Sequence, residues 1–117
     1  MRLAEMQIGE NVFEIELKDS PTTEKFLKML PATFSMQELN GNEKYVYLDE
    51  SLPTNASYSG QLHAGDVMLF GDDCLVLFYK NFRTTYSYTP IGKVSDAKSL
   101  QSALGSGNVT LRFLLKK

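Results

Sequence analysis

Two almost continuous apolar runs dominate the hydrophobic pattern of this chain. They cover residues 67–70 and 74–79 and are separated by the turn Gly71-Asp72-Asp73. Strands this apolar are normally covered by protein on both faces, so we expect a hairpin at the centre of a sheet or inside a barrel. The hairpin turn explains both aspartates directly, and the neighbouring sequence lacks the further oxygen ligands that a metal ion would need.

Alternation of apolar and polar residues predicts further strands on either side of this hairpin. We expect a hairpin formed by residues 4–8 and 13–17, and strands at residues 32–37, 44–48, 85–88, 91–94 and 109–115. Pro90 separates two of these strands, which suits an edge or a corner. Residues 49–60 are rich in Ser, Pro, Asn and Gly, and this composition is typical of a long surface loop.

Two short helices are predicted between the strands. Ser20 is a suitable N-cap with Pro21 in the first turn, and Pro31 ends this helix. Ser95 is expected to cap the second helix, which Gly105 ends. Two short helices cannot cover both faces of so many strands. We therefore predict a mainly β fold, a closed antiparallel barrel of about eight strands with the helices as plugs at its open ends.

Composition limits the classes of partner and of chemistry. The 117 residues fit one domain, with 43% apolar residues and a net charge of −2 from 12 basic and 14 acidic side chains. Because neither sign clusters, we expect no nucleic acid or membrane partner. Cys74 is the single cysteine, so we expect no internal disulfide and no thiolate zinc site. We also expect no other metal site and no cofactor. The N-terminus does not resemble a secretory signal, which favours the cytoplasm.

Three segments carry a resemblance to a known family. GNEKYVYLDESLPTNA at residues 41–56, AGDVMLFGDDCLVLFYKNF at 64–82 and TTYSYTPIGKV at 84–94 resemble the bacterial cyclophilin-like domain family. Its role is largely uncharacterised, and its members are sometimes associated with flavodoxin-type sequences. The order of elements also resembles the cyclophilin fold, an eight-stranded barrel capped by two helices. The resemblance implies one cyclophilin-like domain over residues 1–117.

Prolyl isomerase activity is the enzymatic alternative that the resemblance raises. True cyclophilins depend on an arginine in a Phe-x-Arg-type motif in the strand after the first helix. Here that strand reads ATFSMQEL, in which Phe34 is present but no arginine follows. The Gly-Gly-Asp element of true cyclophilins is reduced to Gly65-Asp66. Both departures argue against the isomerase, unless Arg83 serves as a displaced arginine.

Aromatic residues around the central hairpin suggest a binding groove at the barrel mouth. Its predicted lining is Tyr45, Tyr47, Phe82, Arg83, Tyr86 and Tyr88, with Asn55 as a neighbour. Rings can stack on a ligand while hydroxyls orient it. Tyrosines also favour strands and barrel rims for reasons of packing alone. We predict a non-catalytic domain that binds a small molecule or short peptide; the alternatives are the isomerase and an interaction module for a flavodoxin-like redox partner.

Two further features, a His–Asp pair and the single cysteine, invite a catalytic interpretation. His63 with Asp66 has the composition of a general base and its orienting carboxylate, but no nucleophile accompanies them. We expect a solvated histidine, with Asp66 capping a turn. Cys74 opens the most apolar strand, where a buried and unreactive thiol is expected.

Overall fold

The fold consists mainly of strands in a computed structural model, which describes residues 2–58 and 60–116. In chain order the elements are β1 (Arg2–Ile8), β2 (Asn11–Leu17), α1 (Pro21–Leu27), β3 (Ala32–Leu39), β4 (Glu43–Tyr47), β5 (Ser57–Tyr58), β6 (Gln61–Leu62), β7 (Asp66–Phe70), β8 (Cys74–Phe78), β9 (Phe82–Arg83), β10 (Ser87–Val94), α2 (Leu100–Leu104) and β11 (Val109–Leu115). Neither helix is long and apolar enough to cross a membrane.

Eight of these strands close into an antiparallel barrel. Their order is β2-β1-β11-β3-β4-β8-β7-β10, and β10 pairs with β2 to complete the ring. β5 pairs with the N-terminal end of β10, and β6 pairs with β9 as a separate two-stranded ribbon. The predicted fold, a closed eight-stranded barrel with two helices, is confirmed.

The barrel encloses the main hydrophobic core. Alternate residues of its strands point inward, and the largest of those that are fully buried include Met6, Leu77 and Phe113. The Phe113 ring meets the rings of Phe26 on α1 and Phe34 on β3 edge-on, with centroids 5.7 Å apart in each pair. α1 therefore packs directly on the core.

The start of α1 agrees with its predicted cap. The Thr23 backbone N–H donates to Ser20 Oγ over 3.1 Å, and Pro21 occupies the first helical turn. Free N–H groups at a helix start need such an acceptor, and proline has no N–H to leave unpaired there. The Ser20-Pro21 signal thus fixes where this helix begins.

A second hydrophobic layer covers the outer face of the barrel beside β8. Cys74, Val76 and Phe78 point outward, whereas Leu75 and Leu77 point into the core. The outward residues pack with Tyr88 of β10 and with Leu62 and Phe82 of the β6–β9 ribbon. All five β8 residues are buried. The prediction that this strand has protein on both faces is confirmed.

Two strand predictions need correction. Residues 85–88 and 91–94 do not form separate strands, because residues 87–94 form the single strand β10. Its register against β7 shifts between Pro90 and Gly92. This irregularity accommodates a residue without an N–H and lets the strand continue past the proline. The loop predicted at residues 49–60 also contains the short strand β5.

The second helix is shorter than predicted and has a different start. α2 is five residues long and its N-cap position is Ser99, which makes no side-chain capping hydrogen bond. The Ser95 hydroxyl instead donates to Glu14 Oε2 over 3.2 Å. Ser95 therefore ties β10 to β2 and does not cap the helix. Gly105 ends α2 as predicted, with a φ of 67°.

Candidate functional site

The turn before β4 determines which side chains of this strand face outward. Asn40 and Gly41 both have positive φ, 56° and 68°, as the central residues of a type I′ turn require. Leu39 pairs with Glu43, so three residues separate the paired strand ends. β4 then alternates strictly. Lys44 is buried at the inner face, while Glu43, Tyr45 and Tyr47 share the outer face.

A cavity of about 730 Å³ lies against this outer face. We call it the outer cavity; its walls are the outward side chains of β4 and β8, the segment 82–88, and the β5 side chain Tyr58. The volume falls within the range of small-molecule sites in proteins. Six of the seven predicted site residues line it: Tyr45, Tyr47, Phe82, Arg83, Tyr86 and Tyr88.

The position of the cavity corrects one prediction and leaves one residue outside. We predicted that the rings meet at the mouth of the barrel, which is wrong because they lie on the outside of its wall. The barrel interior is filled by the main core, whereas these rings pack with the second layer. Asn55 does not line the cavity, and its backbone N–H donates to the hydroxyl of buried Thr89 over 3.0 Å.

The aromatic rings of the cavity form two groups of contacting rings. The Tyr45 and Tyr47 rings are T-shaped, with centroids 6.0 Å apart. Phe70 contacts Tyr86 at 5.7 Å and Tyr88 at 5.6 Å. Such edge and tilted contacts fix ring orientation. These ring contacts give the walls of the cavity a defined shape.

Exposed apolar side chains concentrate at this cavity. Seven large apolar residues are exposed among the described residues. Five of them line the outer cavity: Leu39, Tyr47, Tyr58, Phe70 and Tyr86. The other two, Val12 and Leu115, lie elsewhere. Scattered apolar residues are ordinary on a protein surface, but a contiguous group beside a concave wall is typical of a binding site.

Glu43 is a site residue that the sequence interpretation missed. Its side chain lines the cavity although the residue is only 7% exposed. Burial raises the pKa of this carboxyl to about 7, and the charge of Glu38 adds to the effect. Within residues 2–58 and 60–116, no side-chain hydrogen bond or ion pair reaches the Glu43 carboxylate. No fully buried polar side-chain atom there lacks a partner, so the carboxylate oxygens keep contact with the cavity. Extending the alternation of Tyr45 and Tyr47 by one step would have found it.

Cys74 lines the same cavity but is poorly suited to be a nucleophile. Burial, with the nearby charges of Asp73 and Glu43, raises the pKa of its thiol to about 11. The thiolate is the reactive form of cysteine, and it is therefore scarce here near neutral pH. The inert thiol predicted from the sequence agrees with this position.

His63 and Asp66 form a turn and not a catalytic pair. The His63 backbone N–H donates to Asp66 Oδ2 over 2.9 Å, whereas His63 Nδ1 lies 3.9 Å from that oxygen. The second distance is too long for a hydrogen bond. Neither residue lines the outer cavity. In the described part of the chain, no group of three or more His, Cys, Asp or Glu side chains is placed to hold a metal ion.

Comparison with known proteins gives a family and a fold. A sequence model described as the cyclophilin-like family matches residues 6–114. The solution structure of a hypothetical protein from Archaeoglobus fulgidus is similar, with a TM-score of 0.62, 18% identity, and coverage of 99% of this chain and 95% of that one. No curated protein matches significantly. At this level of identity the similarity shows a shared fold, and it does not show a shared activity.

Proposed function

The chain belongs to the cyclophilin-like family, and we propose that it binds a small molecule or short peptide in the outer cavity, without classical catalysis. The carrying observation is the concentration of exposed large apolar side chains there, five of the seven among the described residues. Exposing rings to water costs free energy that ligand binding would recover. A flavodoxin-like partner and a cytoplasmic location stay predictions from the sequence.

The division of the rings supports this function. Tyr88 is buried and packs on Phe70 and Phe78, so it acts as a rigid floor. Tyr47 and Tyr86 are mostly exposed while lining the same cavity. Rigid rings below and accessible rings around the opening suit capture of a flat or apolar group. The exposed pair can therefore be changed with little effect on the core.

We expect a Tyr47→Ala, Tyr86→Ala double variant to lose ligand binding while keeping its fold. A fragment library screened by saturation-transfer NMR should give hits that shift backbone resonances of β4, β8 and the segment 82–88. The double variant should bind those hits at least about tenfold more weakly, because two stacking surfaces are removed. Its unfolding free energy should change by only about 1 kcal/mol, since both side chains are exposed.

The matched control is Val12→Ala, which truncates an exposed apolar residue outside the cavity. This variant should bind the hits as the unaltered chain does. A library that yields no hit at the outer cavity, or hits that bind the double variant with unchanged affinity, would contradict the proposed function.

A prolyl isomerase is the second candidate, because Arg83 lines the outer cavity beside the rings. We expect a protease-coupled proline isomerisation assay to show only the uncatalysed rate, since β3 lacks the arginine of the Phe-x-Arg-type motif. A rate enhancement that disappears in Arg83→Ala would reverse this assignment. The variant should fold normally because Arg83 is exposed and forms no ion pair among the described residues.

A further inference from the structure

We propose that the outer cavity selects ligands carrying a positive charge, an amine or quaternary ammonium group that pairs with Glu43 while aromatic rings cover it. This inference rests on the proposed function and names its ligand class. It is carried by one juxtaposition: the Glu43 side chain is largely buried, faces an aromatic cavity, and receives no hydrogen bond or ion pair from the side chains of residues 2–58 and 60–116.

The position of Glu43 is costly unless a ligand compensates it. An ionised carboxylate taken out of water needs a cation or several N–H donors. Other buried polar groups in this chain have such partners: Lys44, its neighbour, donates to Glu38 Oε1 over 2.9 Å and to the Gly105 carbonyl over 2.9 Å. Glu43 has no comparable partner among the described residues. A cationic group entering the cavity would supply one.

The aromatic surroundings favour the same charge. Glu43 pairs in register with Phe78 on β8, and Tyr45 is the next outward residue on β4. Phe78 is fully buried beneath the cavity and contacts Tyr88 and Phe82, which line it, with centroids 5.4 Å apart in each pair. Ring faces carry partial negative charge and attract ammonium groups. Carboxylate and rings therefore select for a cation together.

The other charged and titratable groups near Glu43 do not satisfy its carboxylate. Lys44 lies on the opposite face of β4 and is paired with Glu38. The remaining groups around Glu43 are Glu38 on β3, Cys74 on β8, Tyr79 directly after β8, Arg83 on β9 and Tyr88 on β10.

Arg83 is the one cationic side chain among the described residues that line the cavity. It is exposed, and solvent screens an exposed charge far more than a buried one. An anion drawn to Arg83 would also meet Glu43 inside the cavity. Glu43 therefore dominates selection by charge.

Three probes of nearly the same shape separate charge from size. Choline carries a quaternary nitrogen, neohexanol has a carbon in its place, and the tert-butylacetate anion carries a carboxylate. Each is titrated against isotope-labelled protein and followed by amide shifts at the outer cavity. Glu43→Gln keeps the side-chain shape and removes the charge. The matched control is Glu16→Gln, which alters an exposed glutamate of β2 outside the cavity.

At about pH 9 we expect choline to bind at least about tenfold more tightly than neohexanol, with the anion weakest. The preference should shrink at about pH 5, where Glu43 is protonated and neither alcohol has changed its charge. Glu43→Gln should abolish the preference at both pH values and still bind neohexanol. Glu16→Gln should leave it intact.

Equal binding of choline and neohexanol, or a preference that survives Glu43→Gln, would overturn the charge selection and leave the outer cavity as a ligand site. Tighter binding of the anion than of choline would assign the selection to Arg83, and this result would also overturn the proposed selection for cations. If none of the three probes shifts resonances at the outer cavity, both the charge selection and the proposed function fail.

Discussion

Replacing Lys44 with alanine is expected to lower the free energy of unfolding by about 3–5 kcal/mol, the range for removing one partner of a buried ion pair. Lys44 is fully buried, and its side chain crosses from β4 to the chain after α2. Nζ donates to Glu38 Oε1 over 2.9 Å and to the carbonyls of Gly105 and Gly107 over 2.9 and 2.5 Å.

The variant would remove these donors together. Glu38 also accepts hydrogen bonds from the Tyr79 hydroxyl and the Gly41 backbone N–H. Burial disfavours its charge, but the bonds from Lys44, Tyr79 and Gly41 outweigh this and hold the pKa of Glu38 below its ordinary value. Without Lys44 the carboxylate loses its cation, and two glycine carbonyls lose their donor. Leaving such groups unpaired is more costly than the pair is stabilising.

Urea denaturation near neutral pH measures the effect. Lys93→Ala is the matched control, because Lys93 is an exposed strand lysine with no ion pair among the described residues. It should change the free energy of unfolding by less than about 0.5 kcal/mol. A loss below about 1 kcal/mol for Lys44→Ala would show that the contacts of Lys44 with Glu38, Gly105 and Gly107 contribute little to stability.

Lys44 also shows where a sequence pattern stops being informative. Alternation places it correctly on the same face as Val46 and Leu48, but a lysine within a strand normally indicates a solvated position. Its partner Glu38 lies directly opposite it across the β3–β4 hairpin, but Gly105 and Gly107 are distant in sequence and follow α2. Only the folded barrel brings those two carbonyls to Lys44. The fold class depends on local periodicity, which is why it was predictable, whereas this buried charge depends on tertiary contacts.

The site shows the same division. Alternation shows that Tyr45 and Tyr47 share one face, and six of seven predicted residues do line one cavity. It cannot show whether that face is inside or outside the barrel, because both faces of β8 are apolar. For this reason the sequence pattern suggests a site at the barrel mouth, whereas the rings lie on the outside of the barrel wall. Asn55 is predicted at the site only because it belongs to the neighbouring loop. Its backbone N–H donates to the Thr89 hydroxyl, a long-range contact that no sequence pattern predicts.

Glu43→Gln is expected to stabilise the protein increasingly as the pH rises. The folded-state pKa of Glu43 is about 7, above the ordinary value of 4.5. Below about pH 4.5 the Glu43 carboxyl is protonated in both the folded and the unfolded state, and it does not reduce the free energy of unfolding. Between the two values the unfolded state ionises first, so stability falls with rising pH. About one pH unit above the folded-state pKa the loss is complete, on the order of 3 kcal/mol.

The measured quantity is the difference between variant and unaltered chain in free energy of unfolding, taken at about pH 5 and about pH 9. Glutamine does not titrate, so this difference should grow by about 2–3 kcal/mol between the two conditions. Glu16→Gln, at an exposed position, should give nearly the same difference at both. A Glu43→Gln effect independent of pH would show that the carboxylate is not held in an unfavourable environment.

The stability experiment also bears on why the carboxylate is there. A glutamine of the same shape fits the position and is expected to give a more stable protein at and above neutral pH. Selection for stability alone would therefore not favour Glu43, and groups that destabilise a fold while facing a cavity are characteristic of functional sites. Added choline should reduce the stabilising effect of Glu43→Gln at about pH 9, because only the unaltered chain gains a cation for its carboxylate.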